Sequence, residues 1–149
     1  MEQKSKQFHI GDILSITTDM LVSPRLMKGV YDILNYMTGD NLMTHQLPRV
    51  AKECKPYLIE QYPQLNSPEM SFALADFSAI MAKTSDDQKG FAVLGWLSKI
   101  YFGDYGIKFP SANNMLDVKP LPKGCHQYKN PIEEVVEMVG KNKVIVVEV

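Results

Sequence analysis

The chain has 149 residues, long enough for one domain with a substantial core, and its 45% apolar content is that of a globular protein, not a disordered one. With 16 basic and 17 acidic residues the formal net charge is −1, which excludes a nucleic-acid binder working through bulk charge and equally an acidic mimic of DNA. Two cysteines, Cys54 and Cys125, are too few for a disulfide scaffold; reduced thiols are expected, with a single bridge between them left open.

The N-terminus, MEQKSKQFHIGD, lacks the apolar region of a secretory signal, and residues 1–7 are polar enough to be read as disordered. No apolar run reaches the roughly 20 residues needed to span a bilayer. A cytoplasmic protein with no membrane attachment is expected. Phe8–Thr18 is rich in β-branched residues and is read as a strand, in preference to a helical turn capped by Asp12. Ser23-Pro24 then gives an N-cap followed by proline at the first helical position. Leu26, Val30, Ile33, Leu34 and Met37 share one face of a 3.6-residue period, and Gly39 supplies the stop, so a helix is predicted over 24–38.

A second helix follows an N-cap at Thr44, with Leu47, Val50, Ala51, Cys54 and Leu58 inward. Pro48 is tolerable in its first turn, Pro56 predicts a kink or split near Lys55, and Pro63 ends it. Ser67-Pro68 repeats the start signal for a helix to about Lys83. Ser85 and Gln88 form a candidate capping box for another, stopped by Gly103. Residues 104–130 read as irregular. Asn130-Pro131-Ile132-Glu133 opens a short helix with Ile132, Val135, Val136 and Val139 inward, and Lys143–Val149 reads as an interior strand. The prediction is an α+β fold: a predominantly helical single domain over residues 1–149, with a small sheet pairing the N-terminal region and the C-terminal strand.

The run FHIGDILSITT…GVYDILNYMTGDNLMTHQLPRVAKECKPYL resembles an uncharacterised family of short bacteriophage- and prophage-associated proteins. The shared signature is GDxLSxTT, YDxLNxMTGDN, THQLPR and ECKPxL, covering residues 8–65 well and 130–149 loosely. The resemblance implies a small accessory protein acting inside a bacterium and brings no assigned activity with it.

The densest polar cluster is Asp40, Asn41, Thr44, His45, Gln46 and Arg49. Asp40 and His45 could form an acid–base pair with Arg49 as an anion binder, and the helix N-terminus from Thr44 to Leu47 could hold a phosphate or carboxylate. The same residues also serve ordinary turn and cap chemistry, with Arg49 pairing Asp40 or Glu53. Asp40, His45, Gln46 and Arg49 are therefore candidate binding residues, and no catalytic residue is assigned. Met27 and Tyr31 lie off the main apolar stripe and are candidates for a partner interface, where methionine and tyrosine are favoured, although core packing accounts for them as well. Cys54 falls on a buried stripe and reads as a small hydrophobe. His9, His45, Cys54, Cys125 and His126 lack zinc-motif spacing, so no metal and no cofactor are expected. No phosphate-binding glycine loop is present.

The leading expectation is a non-enzymatic phage or prophage accessory protein that binds a host or phage macromolecule, a protein being favoured over nucleic acid, with inhibition of a bacterial defence system as a candidate role and a homodimer left open. The alternatives are a small enzyme or ligand-binding protein using the Asp40–Arg49 cluster, and a nucleic-acid accessory protein with a basic patch from Arg25, Lys28, Arg49, Lys52 and Lys55.

Overall fold

The computed structural model describes residues 5–110 and 114–139. Helices dominate, and the one sheet among the described residues has two strands. Strand β1 (Lys6–His9) leads directly into helix α1 (Ile10–Thr17). Lys6 and Gln7, expected in a disordered terminus, are thus part of the sheet. Most of the segment predicted to be a strand is a helix. The reason is local and tertiary together. The His9 imidazole caps the helix by accepting the Gly11 N–H through Nδ1 at 2.9 Å, and all eight residues of α1 are buried. Packing of Ile13, Leu14 and Ile16 on every side outweighs the side-chain entropy that β-branched residues lose in a helix.

Helix α2 (Met27–Thr38) ends as predicted at Gly39, which takes the left-handed conformation (φ 69°) and donates its N–H to Asn35 O at 2.8 Å. Its start is three residues later than the Ser-Pro signal implies. Ser23 Oγ accepts the Arg25 N–H at 3.1 Å, as a cap would, and donates to the Asp12 carboxylate, but residues 24–26 form a turn and the helix itself begins after Leu26, which gives no side-chain cap. Leu26 at the N-cap has φ 57° and ψ −137°, a conformation that costs a side-chain-bearing residue about 1–3 kcal/mol.

After a 3₁₀ turn over Thr44–Gln46, helix α3 (Leu47–Gln61) runs unbroken through Pro56, against the predicted split. Pro56 and Lys52 are both exposed, so the carbonyl that loses its donor can be hydrated, while Val50, Cys54 and Leu58 hold the opposite face in the core. Burial also pushes the Cys54 thiol up to about 12, as expected of an inert core cysteine. Both cysteines are free thiols. Helices α1, α2 and α3 pack against one another around this core.

Helix α4 (Pro68–Ala82) starts as predicted, with Ser67 Oγ accepting the Met70 N–H at 3.1 Å. Helix α5 (Lys89–Tyr101) follows a 3₁₀ turn over Asp86–Gln88, and Ser85 makes no side-chain cap, so the capping box does not form. The α4–α5 hairpin has its own aromatic seam: Phe77 meets Trp96 edge-on at 4.7 Å, and the Trp96 indole N–H donates to Ala73 O at 2.9 Å. Strand β2 (Met115–Val118) lies within the stretch read as irregular and pairs antiparallel with β1, Lys6 opposite Val118 and His9 opposite Met115. The predicted strand Lys143–Val149 lies outside the described residues.

Helix α6 (Pro131–Val139) is capped by Asn130, whose Oδ1 accepts the N–H groups of Ile132 (2.9 Å) and Glu133 (3.2 Å). Its predicted inward face is wrong. Ile132 and Val139 are exposed, Val135 and Val136 are half-buried, and the buried side chain is Glu134. A charge, not an apolar stripe, orients this helix.

Two glycines give opposite expectations. A β-carbon at Gly29 would collide with the Asp12 carboxylate and the Ser23 hydroxyl, whereas one at Gly95 meets nothing within 4 Å. Gly29→Ala is expected to cost about 2 kcal/mol or more in denaturant unfolding. Gly95→Ala, inside α5, should gain about 0.5–1 kcal/mol. Equal effects of the two substitutions would contradict this packing.

Candidate functional site

The polar cluster singled out from sequence is present, but its side chains are spent inside the protein. Asp40 and His45 do not meet. His45 Nε2 donates to the Pro131 carbonyl at 2.6 Å. Asp40 Oδ2 lies 2.9 Å from Nε2 of His126, whose Nδ1 is 2.5 Å from Glu53 Oε1. Gln46, almost fully buried, uses its carbonyl to accept the Met43 N–H at 2.9 Å and its amide to donate to Glu134 Oε2 at 2.8 Å. Arg49 grips Glu134 with a fork, Nε to Oε1 at 2.5 Å and Nη2 to Oε2 at 3.2 Å, and reaches Glu53 Oε2 at 2.9 Å and the Gln127 carbonyl at 3.0 Å through Nη1. The expected choice of Asp40 or Glu53 for Arg49 resolves to Glu53, with Glu134 added.

This arrangement seats residues 125–134 on the start of α3. His126 and Glu134 are the members that the sequence reading did not place in this cluster. They lie 86 residues from Asp40 and 85 from Arg49 respectively, whereas Glu53, four residues after Arg49, carried a helix-spacing signal. Tyr128 closes the seat, its hydroxyl donating to Thr38 O at 2.8 Å and its ring packing edge-on to His126. An acid–base role for Asp40 with His45 therefore has no geometric basis here. Arg25 and Arg49 are both ion-paired, which removes two of the five cations proposed for a basic patch. Among the described residues no group of three or more histidine, cysteine or acidic side chains is arranged to hold a metal.

The second polar assembly was not anticipated. Asp12 on α1 is fully buried, yet it accepts from Ser23 Oγ and from Arg25 Nη2 at 2.8 Å. Arg25 Nη1 also binds Asp32 at 2.6 Å. Ser15 Oγ donates to Gly11 O at 2.8 Å and accepts the Val22 N–H at 3.0 Å. A β-carbon at Gly11 would lie 2.8 Å from both Pro24 Cδ and Val22 O, so glycine is needed where the turn crosses α1. Every polar group on this face of α1 thus holds residues 22–25.

What that turn displays is apolar. Leu26 is 64% exposed and Phe91 74%, and with Leu21 and Leu94 they line a groove of about 360 Å³ between the turn and α5. Leu21 also borders a neighbouring groove of about 510 Å³ lined by Met20, Met27 and Leu47. Met27 is thus exposed on an apolar surface. Tyr31 is half-buried, packs on the core and hydrogen-bonds Thr44 through its hydroxyl.

Residues 8–67 match the model of a family described as a domain of unknown function (DUF7736), a span that contains the Asp12 assembly and the 21–27 turn. A curated protein to which the chain is similar is an inactive adenylate kinase of Plasmodium falciparum, 26% identical over 121 residues, covering 75% of this chain and 43% of that protein. The chain thus spans under half the length of that relative. No solved structure matches. Among the described residues no helix is long and apolar enough to cross a membrane.

The Glu134 seat has a pH signature. Hydrogen bonding from Arg49, helped by Gln46, holds the Glu134 carboxyl below its ordinary value of 4.5. A carboxylate with a depressed folded-state pKa contributes stability that is present above its unfolded value and lost as pH falls through the folded one. The amide protection of α6 should therefore hold from neutrality down to about pH 4.5 and fall below it. Glu134→Gln should weaken it by about 2 kcal/mol at pH 7 and flatten this acid dependence. Identical pH profiles for the two proteins in hydrogen exchange would contradict the assignment.

Proposed function

We propose that the protein is a non-enzymatic binding protein that docks another protein on the apolar groove between the 21–27 turn and α5. The observation that carries this reading is Leu26. Its backbone is held in a conformation that disfavours leucine, its side chain is exposed, and it stands beside exposed Phe91. A core does not need such a residue. A buried polar assembly nonetheless fixes the turn that presents it, and an exposed, pre-organised apolar group is what a protein interface uses as an anchor.

The biological setting follows from the sequence resemblance: an accessory protein of a bacteriophage or prophage, acting in the host cytoplasm on a host or phage protein, with a defence component as the first target to test. The Plasmodium relative is named as an inactive kinase, and this sequence has no glycine-rich phosphate loop, so no nucleotide is proposed as ligand.

The test is affinity capture from phage-infected bacterial lysate with the full chain and with Leu26→Asp and Phe91→Asp. A protein retained by the wild type and lost by both variants is expected. Leu26→Gly should also lose it while gaining about 1 kcal/mol of stability, since relief of the strained φ exceeds the extra unfolded-state entropy. Retention unaffected by all three substitutions, or a clean monomer that captures nothing, would contradict the reading. A concentration-dependent dimer abolished by the same substitutions would replace the foreign partner with a second copy.

A further inference from the structure

The groove between the 21–27 turn and α5 has a charge on its rim. Leu21, Leu26, Phe91 and Leu94 line it, and Asp87 is the one charged residue among its walls. Asp87 belongs to the 3₁₀ turn that leads into α5. Lys89, the cation nearest to it in sequence, pairs with Asp86 at 3.1 Å, and Asp87 makes no ion pair among the described residues. Hydrogen bonds from the Ser85 and Gln88 side chains hold its carboxyl below the ordinary value of 3.8, so it is ionised near neutrality. Those donors are neutral: they orient the charge and do not cancel it.

The opposite wall supplies no cation either. Arg25, next to Leu26, gives its guanidinium to Asp12 and Asp32 in a different cavity, and Lys28 does not line the groove. The groove is therefore apolar with one uncompensated negative charge. An exposed ion pair is too weak to hold a partner alone. Apolar burial supplies the affinity, and the rim carboxylate selects among apolar segments. A cation beside the apolar anchor is attracted, and an acidic residue there is repelled.

We infer that the segment docked here is a basic, apolar one of a foreign protein: a large apolar side chain seated against Leu26 and Phe91, with lysine or arginine beside it on Asp87. The inference rests on the docking groove proposed above and adds the chemistry of its occupant.

The experiment is a titration of the full ¹⁵N-labelled chain at low salt, read from the Leu26 and Phe91 amides. The probes are three blocked peptides with one shared pattern of leucines and lysine, glutamine or glutamate at all remaining positions. The lysine peptide should shift both amides saturably and bind tightest, and the glutamate peptide weakest. Asp87→Asn, at an exposed position, should weaken the lysine peptide about two- to fivefold, the scale of one exposed ion pair, and leave the glutamine peptide unchanged. Equal affinities for the lysine and glutamine peptides would overturn the inference, as would an Asp87→Asn chain that binds the lysine peptide as tightly as the wild type. In both cases shifts at Leu26 and Phe91 would still uphold the groove. No shift of those amides with any peptide would overturn the groove and the inference together. Shifts of the same amides on concentrating the chain without peptide would seat a second copy there and overturn the foreign segment.

Discussion

A carboxylate placed entirely out of water sets the local geometry of this fold. Asp12 is fully buried in α1, and Ser23 and Arg25, both from the turn that follows the helix, supply the hydrogen bonds that replace its lost hydration. The pairing dictates where the turn runs. Ser23 is tied to Asp12, α2 starts late, and Leu26 is left with a positive φ. Gly29 is the clearance that lets α2 pass over the paired groups. One buried charge thus explains a shifted helix start, a required glycine and a strained residue.

The same device appears a second time. Glu134 is buried on an otherwise ill-packed helix and is gripped by Arg49 and Gln46, and through it the segment around His126 and Tyr128 is seated on α3. In both places a carboxylate paired with arginine fastens a connecting or terminal segment to an apolar three-helix core. The consequence is also shared: apolar side chains near the fastened segment are left outside, Leu26 and Leu21 at the first, Ile132 and Met138 at the second.

Where a local rule is self-contained, the sequence is readable. The Gly39 stop, the Ser67-Pro68 start, the Asn130 cap and the Cys54 stripe all form as their spacing dictates. Ser23-Pro24 carries the same start signal as Ser67-Pro68, yet a turn follows it, tied through Ser23 and Arg25 to a carboxylate eleven residues before the serine. Phe8–Thr18 has strand composition, yet complete burial and the His9 cap make it a helix. The α6 stripe has helical period, but Glu134 decides which side faces in. The polar cluster near Arg49 was visible as a cluster, whereas its partners lie some eighty residues away, and no pattern in a single sequence connects them. Strand β2 is four residues long, too short for its alternation to stand out.

The dependence of the turn on Asp12 can be read directly at Leu26. The ratio of intraresidue to sequential NOEs from its amide proton, together with its three-bond HN–Hα coupling, reports the sign of φ. The wild-type chain should show the positive-φ signature, and Asp12→Asn, which keeps the shape but removes the charge, should lose it while the amides of the α4–α5 hairpin stay unchanged. A positive φ that persists in Asp12→Asn, or a negative φ in the wild type, would contradict the claim that the buried carboxylate shapes this turn.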